Sequence, residues 1–328
     1  LARKPTLRDR YNALLYAIGG LVETTDIVRK LFDGVVPERA SEIESIANDY
    51  DAQFRLIADR EGFNLDAGGF SAIQYTSRSM RQMWLFGYAG RQALHCYSSL
   101  IVLFKSFGTT LDINEINKIP DQAAEDEAFK SILDAVKDLS TAFHEDDFEW
   151  PVAIPDPEKG RPSDSERAAV YDLTCMATAY VFLHELKHVI FSAEGNAPED
   201  PKDEEYLCDQ FAKDMMISKI DQYAASSGYP PEKVRMKRIM GIALASAFIL
   251  FATGRNRLAG SETHPPIYGR WSATVQDVNL PEDDWFWLYF SSFALALLKY
   301  HSLTIQPKIV KDYKSLCFDL IADLENGI

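Results

Sequence analysis

His184-Glu-Leu-Lys-His188 is an HExxH motif that lies between two apolar runs, 177–183 (ATAYVFL) and 189–191 (VIF). Apolar flanks of this kind predict a buried helix. Residues four apart share one face of a helix, so the two imidazoles lie about one turn apart and can both reach a single metal ion. Glu185 lies about 100° round the helix, where it can hold a water molecule beside the metal. The motif therefore predicts a zinc-dependent hydrolase, most simply a peptidase, with Glu185 as the general base.

A second helix is predicted over residues 203–224, and it would return past the two histidines. A catalytic zinc site needs a third protein ligand and one open position. Glu205 and Asp209 are four residues apart and share a face of this helix. Glu205 is the predicted third ligand, and Asp209 is predicted to accept a hydrogen bond from the ring N–H of a ligating histidine. Two neighbours compete with Glu205 for the metal: Glu204, about 100° round the helix, and Cys208, which shares the face of Glu204.

Composition and charge narrow the class of protein. The chain has 328 residues, of which 47% are hydrophobic and 25% are charged, values typical of a soluble globular protein with a large core. The formal net charge of −15 disfavours nucleic acid and anionic membranes as partners, because phosphate binding needs a basic surface. Two apolar stretches, 239–253 and 285–298, are shorter than the ~18–20 residues that span a bilayer. They predict core helices and no stable membrane insertion.

Four widely spaced cysteines, at positions 96, 175, 208 and 317, include no CxxC pair. In a chain of this size they predict free thiols in a reducing compartment. The first ten residues, LARKPTLRDR, lack the apolar core of a signal peptide. Together these features predict a cytoplasmic location.

The period of the apolar residues predicts a mainly α fold with a small β-sheet. The chain divides into a helical N-terminal region over 1–143 and a metallopeptidase region over 144–328, and the two can form one globular unit. Helices before the motif are predicted over 8–22, 38–61, 77–107 and 121–143, and the motif helix is predicted from about 165 to 191. Phe148–Ile154 is the predicted strand; Pro151 places it at an edge, where it either pairs with substrate or is structural. Asp66-Ala-Gly-Gly69 is predicted to be a loop, with a hinge as the alternative.

Two further segments carry a family resemblance. Glu205-Tyr-Leu-Cys-Asp-Gln-Phe-Ala212, following HExxH, resembles the signature of gluzincin-type peptidases, with Cys208 in place of the usual alanine. Thr263-His-Pro-Pro-Ile-Tyr-Gly-Arg270 resembles the HPPxxxR segment of the membrane-anchored members, in which the arginine helps to order the cleft. The chain as a whole is most similar to Lit-type phage-exclusion peptidases.

The resemblance implies a cytoplasmic zinc endopeptidase that acts on translation elongation factor Tu during phage infection. An activating phage peptide or protein is a further candidate partner. His264 and Arg270 are the predicted donors to the reaction's oxyanion, with Tyr268 third, and a rigid turn with a surface histidine is the alternative for His264-Pro-Pro. Two other functions stay open: an ImmA-like repressor-cleaving peptidase, and a non-catalytic regulatory protein with a structural metal or none.

Overall fold

Helices make up most of the chain, and the computed structural model describes residues 20–253, 260, 262, 264–276 and 278–327. The helices are α1 (Gly20–Val35), α2 (Ala40–Asp49), α3 (Ser77–Phe107), α4 (Ile113–Ile116), α5 (Gln122–Thr141), α6 (Ser165–Glu194), α7 (Pro201–Ile217), α8 (Ile220–Ser227), α9 (Pro231–Ala252), α10 (Ile267–Gln276), α11 (Trp285–Tyr300) and α12 (Tyr313–Gly327). The strands are β1 (Gln53–Leu56), β2 (Leu65–Ala67), β3 (Ala72–Tyr75), β4 (Thr110–Leu111) and β5 (Lys308–Ile309). The predicted fold class, mainly α with a small sheet, is confirmed.

Capping residues fix where two helices, α6 and α7, begin. Helix α6 begins after Asp164, whose Oδ1 accepts a hydrogen bond from the backbone N–H of Arg167 (2.8 Å), and it ends at the left-handed Gly195. Helix α7 begins after Asp200, whose side chain accepts from the N–H of Lys202. Each helix therefore has a defined start, and the loop between them lets α7 return along α6.

The larger sheet has three strands in the order β1-β3-β2. Strand β1 is parallel to β3 and β2 is antiparallel to it, so β2 forms one edge. The N–H of Gly68 donates to the carbonyl of Ala72 (2.7 Å). Because bonded pairs alternate along an antiparallel ladder, Leu65 and Ala67 direct their N–H and C=O groups away from β3. This open edge of β2 lies beside α6.

Helix α6 runs through the hydrophobic core, packed against α3, α7 and α9. The crossing with α9 depends on Gly241, where an added Cβ would meet the Cβ of Met176 at 2.4 Å. Helix α11 closes the other side of α3. Elements from before and after residue 144 thus share one core, and the division into two regions stays a prediction.

Two of the four helices predicted before the motif are observed over nearly their full predicted ranges. The helices predicted over 77–107 and 121–143 are present as α3 and α5. The helix predicted over 38–61 is wrong in its second half: α2 ends at Asp49 and the chain continues into β1. Asp51, with φ of 49°, reverses the chain at that point. The helix predicted over 8–22 falls mostly on residues 1–19, outside the described residues.

The strand predicted at Phe148–Ile154 is wrong. The Trp150 indole N–H donates to the Ile154 carbonyl (2.8 Å), and the Ile154 N–H donates to the Pro151 carbonyl (3.0 Å). These bonds fold residues 150–154 into a turn. The edge strand near the histidines is instead β2, whose residues Asp66 and Ala67 had the pattern of a loop.

Later helices agree with the sequence in type and differ in detail. The helix predicted over 203–224 is two helices, α7 and α8, with a break after Ile217. The stretches 239–253 and 285–298 are largely buried in α9 and α11, as predicted. Among the described helices, none combines the length and the hydropathy needed to cross a bilayer. All four cysteines are free thiols.

Candidate metal centre

Helix α6 directs both motif histidines towards α7. The Nε2 atoms of His184 and His188 lie 3.2 Å apart, as the four-residue spacing predicts. The His184 ring is buried and the His188 ring is partly buried. Two imidazole nitrogens that converge in this way form the first half of a metal site.

Helix α7 brings the carboxylate of Glu205 to the same point. Its Oε2 lies 3.5 Å from Nε2 of His184, and its Oε1 lies 3.5 Å from Nε2 of His188. Ligand atoms about 2.0–2.1 Å from a tetrahedral metal lie roughly 3.3 Å from one another. The three groups therefore have nearly the mutual spacing of three ligands to one ion.

The outer ring nitrogens face carboxylates. Nδ1 of His184 lies 2.9 Å from Oδ1 of Asp209, and Nδ1 of His188 lies 2.7 Å from Oε1 of Glu204. Each carboxylate accepts the Nδ1–H, which leaves Nε2 as the nitrogen available to a metal. Asp209 lies where the sequence placed it, and Glu204 supports a histidine instead of competing with Glu205.

Cys208 is the alternative third member of the site. Three ligand atoms lie within 4.8 Å of one another, one each from His184, His188 and Cys208. They are close enough for these residues to hold a metal ion. Burial raises the pKa of the Cys208 thiol far above its ordinary value. Burial alone would also raise the pKa of Glu205, but hydrogen bonds with the two histidines outweigh it and hold that pKa well below its usual range. Glu205 is thus the group already ionised and ready to bind a cation.

Arg270 on α10 is bound to the acidic side of the site. Its Nε and Nη2 donate to Asp209 (both 2.7 Å), and its Nη1 lies 3.0 Å from Oε2 of Glu205. Each of the three nitrogens thus contacts a carboxylate, and the side chain is 9% exposed. The hydroxyl of Tyr180 also donates to Asp209 (2.9 Å). Arg270 therefore ties α10 to the ligand-bearing helix α7, and the oxyanion role predicted for it from the sequence stays a prediction.

The charges of this network fix the protonation of His184. Burial alone would lower its pKa, but hydrogen bonds with Asp209 and Glu205 raise the pKa of His184 to about 9. In the absence of a metal, a proton on His184 balances the carboxylates. A metal ion must displace that proton, so binding of a cation and release of a proton are linked at this residue.

Glu185 faces the open edge of the sheet. Its Oε2 accepts a hydrogen bond from the backbone N–H of Ala67 on β2 (2.7 Å). Burial raises the pKa of Glu185, although the neighbouring histidines and the Ala67 N–H act in the opposite direction. A carboxylate with a raised pKa, held beside a strand edge, is suited to accept a proton in that place.

The HPP segment approaches Glu205 through His264. The imidazole of His264 is 57% exposed, and its Nε2 lies 3.6 Å from Oε1 of Glu205. Gly260 has a φ of +90°, and a Cβ there would approach the His264 carbonyl at 2.9 Å and the Pro266 nitrogen at 2.9 Å. The segment is thus closely packed against Gly260. The side chain of Tyr268 lies outside the described residues.

Two participants had not been identified from the sequence. Tyr180 lies four residues before His184 on the same face of α6, so its spacing could have indicated a contact with Asp209. The Ala67 N–H belongs to the backbone, and no side-chain pattern signals it.

An HExxH helix that faces an acidic helix beside an open strand edge has the features of a hydrolase site. Comparison with protein families makes the class specific: the model of the family described as Peptidase U49 matches residues 73–290, about two-thirds of the chain. The chain belongs to the Peptidase U49 family and is thereby a peptidase. The matched range includes α6, α7 and Arg270. No curated protein and no solved structure matches the chain.

Proposed function

We propose that this chain is a zinc-dependent endopeptidase in which His184, His188 and Glu205 hold the ion. The observation that carries the proposal is the convergence of two Nε2 atoms and one ionised carboxylate within 3.5 Å. A zinc ion held there would polarise a peptide carbonyl and lower the pKa of a water molecule towards neutrality.

Glu185 is the proposed general base. It accepts a proton from the attacking water and passes that proton to the leaving amine as the peptide bond breaks. The Ala67 N–H bond to Oε2 fixes one oxygen of the carboxylate, which leaves Oε1 for the water. His264, exposed beside Glu205, is the proposed donor to the oxyanion. Arg270 has a positioning role through Asp209 and Glu205.

Strand β2 is the proposed site of substrate pairing. The Ala67 N–H is used by Glu185, but the outward backbone groups of Leu65 and the outward C=O of Ala67 can continue a β-ladder with an extended peptide. The strand lies next to Glu185, so a peptide paired there would pass the general base. In this proposal β2 takes the substrate-pairing role that the sequence had suggested for Phe148–Ile154, which is not a strand.

The ligand assignment is tested by measuring zinc per chain in purified protein by mass spectrometry. We expect about one zinc per chain in the wild type and in Cys208→Ala, and at least tenfold less zinc per chain in His184→Ala and Glu205→Gln, which remove ligands. Full zinc content in Glu205→Gln together with a loss in Cys208→Ala would contradict the assignment.

The general base is tested separately, because Glu185→Gln keeps the shape of the side chain and removes the proton acceptor. We expect this variant to retain zinc and lose turnover by 10²-fold or more. Asp203→Asn, an exposed neighbour on α7, is the control and should keep full activity. Full activity in Glu185→Gln would refute the mechanism.

The proposed substrate follows from the Lit-type resemblance: translation elongation factor Tu, cut in the cytoplasm as a phage-exclusion response. Incubation with a bacterial lysate, with and without a chelator, tests it by looking for a new chelator-sensitive fragment. We expect that fragment to derive from elongation factor Tu, with a phage-infected lysate testing the need for an activating peptide. A single fragment from a repressor protein would instead support the ImmA-like alternative.

A closed, structural metal site is the alternative to the catalytic one, favoured by the buried Cys208 beside the histidines. If His184, His188, Glu205 and Cys208 all bound the ion, the site would be closed and structural. Cobalt substitution distinguishes the two, because a thiolate ligand gives a charge-transfer absorption that Cys208→Ala abolishes. We expect the wild type to lack this absorption.

A further inference from the structure

The turn between β2 and β3 holds two consecutive non-glycine residues in the left-handed region. Phe70 has a φ of 59° and Ser71 a φ of 56°. Residues with a Cβ are penalised in this conformation, which glycine adopts freely. Gly68 and Gly69 directly precede them, and neither has a positive φ. The turn thus has phenylalanine at a position where glycine would fold more easily.

A backbone hydrogen bond holds Ser71 in place, but no contact with the described residues accounts for the ring of Phe70. The carbonyl of Ser71 accepts a hydrogen bond from the Gln53 N–H (2.9 Å), which ties the turn to β1. The side chain of Phe70 is 98% exposed, so its ring gains nothing from burial in this chain. Backbone strain at a residue with no packing benefit is typical of positions that serve function.

Phe70 lies close in sequence to the residue that contacts Glu185. It follows Ala67, the partner of Glu185, by three residues, a span of at most about 10 Å. An extended peptide advances about 3.3 Å per residue. A substrate paired along β2 would therefore place a side chain near Phe70 about three residues from the bond cleaved at Glu185.

We propose that Phe70 is a specificity-determining residue that contacts an apolar side chain of the substrate about three residues from the cleaved bond. The proposal rests on the proposed function, and it adds a requirement for the sequence that is cut. An exposed aromatic ring offers a large apolar area for contact, and aromatic residues dominate the binding energy of many interfaces.

The test uses the zinc-loaded full chain and a peptide library made by digesting a denatured bacterial proteome. Cleavage sites are identified by mass spectrometry for the wild type, Phe70→Ser and Phe107→Ser. Phe107 is a matched control: it is 72% exposed and lies at the end of α3, about 45 Å along this 31-residue helix from β3.

We expect the wild type and Phe107→Ser to prefer an apolar residue about three positions from the cleaved bond, and Phe70→Ser to lose that preference. On one preferred peptide, Phe70→Ser should raise KM about 5- to 30-fold with kcat nearly unchanged. An unchanged preference in Phe70→Ser would overturn this inference and leave the proposed function intact. Failure of the wild type to cut any peptide, together with failure to cut elongation factor Tu in the phage-infected lysate, would overturn both.

A stability measurement separates a functional role of Phe70 from a structural one. Phe70→Gly removes the penalty of the left-handed conformation, so we expect Tm to rise by about 2 °C while the preference is lost. A fall in Tm would show that the ring stabilises the turn, and it would overturn the argument from strain.

Discussion

At the residue scale, Asp209 determines how His184 is presented to a cation. It accepts hydrogen bonds from Tyr180 and His184 on α6 and from Arg270 on α10. Burial alone would raise the pKa of Asp209, but the Arg270 charge and the hydrogen bond with His184 hold it well below its usual range. The ionised carboxylate keeps the proton of His184 on Nδ1, so that Nε2 faces Glu205.

We predict that Asp209→Asn lowers zinc affinity about 10- to 100-fold, because an amide orients the imidazole poorly and no longer balances Arg270. Competition with a chromogenic chelator measures the dissociation constant. Asp203→Asn serves as the control, since Asp203 is exposed on the same helix. Equal affinity in Asp209→Asn and wild type would show that Asp209 has no part in metal binding.

The contacts of His188 and Glu205 were predictable from the sequence because regular spacing on two helices fixes which side chains share a face. The contacts of Arg270 with Asp209 and Glu205 were not, because the sequence gives no measure of how many carboxylates surround it. The Ala67 N–H was also out of reach, since a backbone donor 118 residues from Glu185 leaves no residue-type signal.

At the element scale, the sequence predicts an element well where both of its ends are marked. Helix α3 has a Thr76 cap and a left-handed Gly108, and its predicted bounds are those observed. The prediction at Phe148–Ile154 fails because a β-like run of residue types does not reveal the tertiary contacts that bend it. Strand β2 was missed because three residues are too few to show alternation.

The crossing of α6 and α9 should be sensitive to one methyl group. Gly241→Ala places a Cβ against the Cβ of Met176, which cannot rotate away, so the helices must separate. We predict a loss of about 1–3 kcal/mol in the free energy of unfolding, measured by urea denaturation. Gly34→Ala on α1 is the control: nothing lies within 4 Å of its added Cβ, and it should be neutral or stabilising. Equal effects of the two variants would contradict a tight crossing.

At the scale of the whole molecule, one arginine joins the segment before β2 to two helices. Arg78 near the start of α3 is fully buried, and its Nε and Nη2 donate to Asp59 (2.7 and 2.6 Å). Its Nη1 donates to three carbonyls at the end of α5, which include Ala142 (2.6 Å). Strand β2, which contacts Glu185, therefore follows a segment that Arg78 ties to α3 and α5. Both of these helices precede α6 and α7, the helices of the candidate metal centre, in the chain.

We predict that Asp59→Asn lowers the free energy of unfolding by about 3 kcal/mol at pH 7, because it leaves the buried Arg78 guanidinium without its carboxylate. Burial alone would raise the pKa of Asp59, but hydrogen bonds with Arg78 and with the Glu145 N–H lower it below the ordinary 3.8. A depressed pKa stabilises the fold above pH 3.8, and that stability is lost as the pH falls through the lowered value. The difference in the free energy of unfolding between the wild type and Asp59→Asn, measured by urea denaturation, should therefore be constant from pH 7 to about pH 5 and should narrow below pH 3.8. Glu115→Gln, which breaks an exposed ion pair with Lys118, is the control and should lower the free energy of unfolding by under about 1 kcal/mol. A loss in Asp59→Asn no larger than this would show that Arg78 does not depend on Asp59.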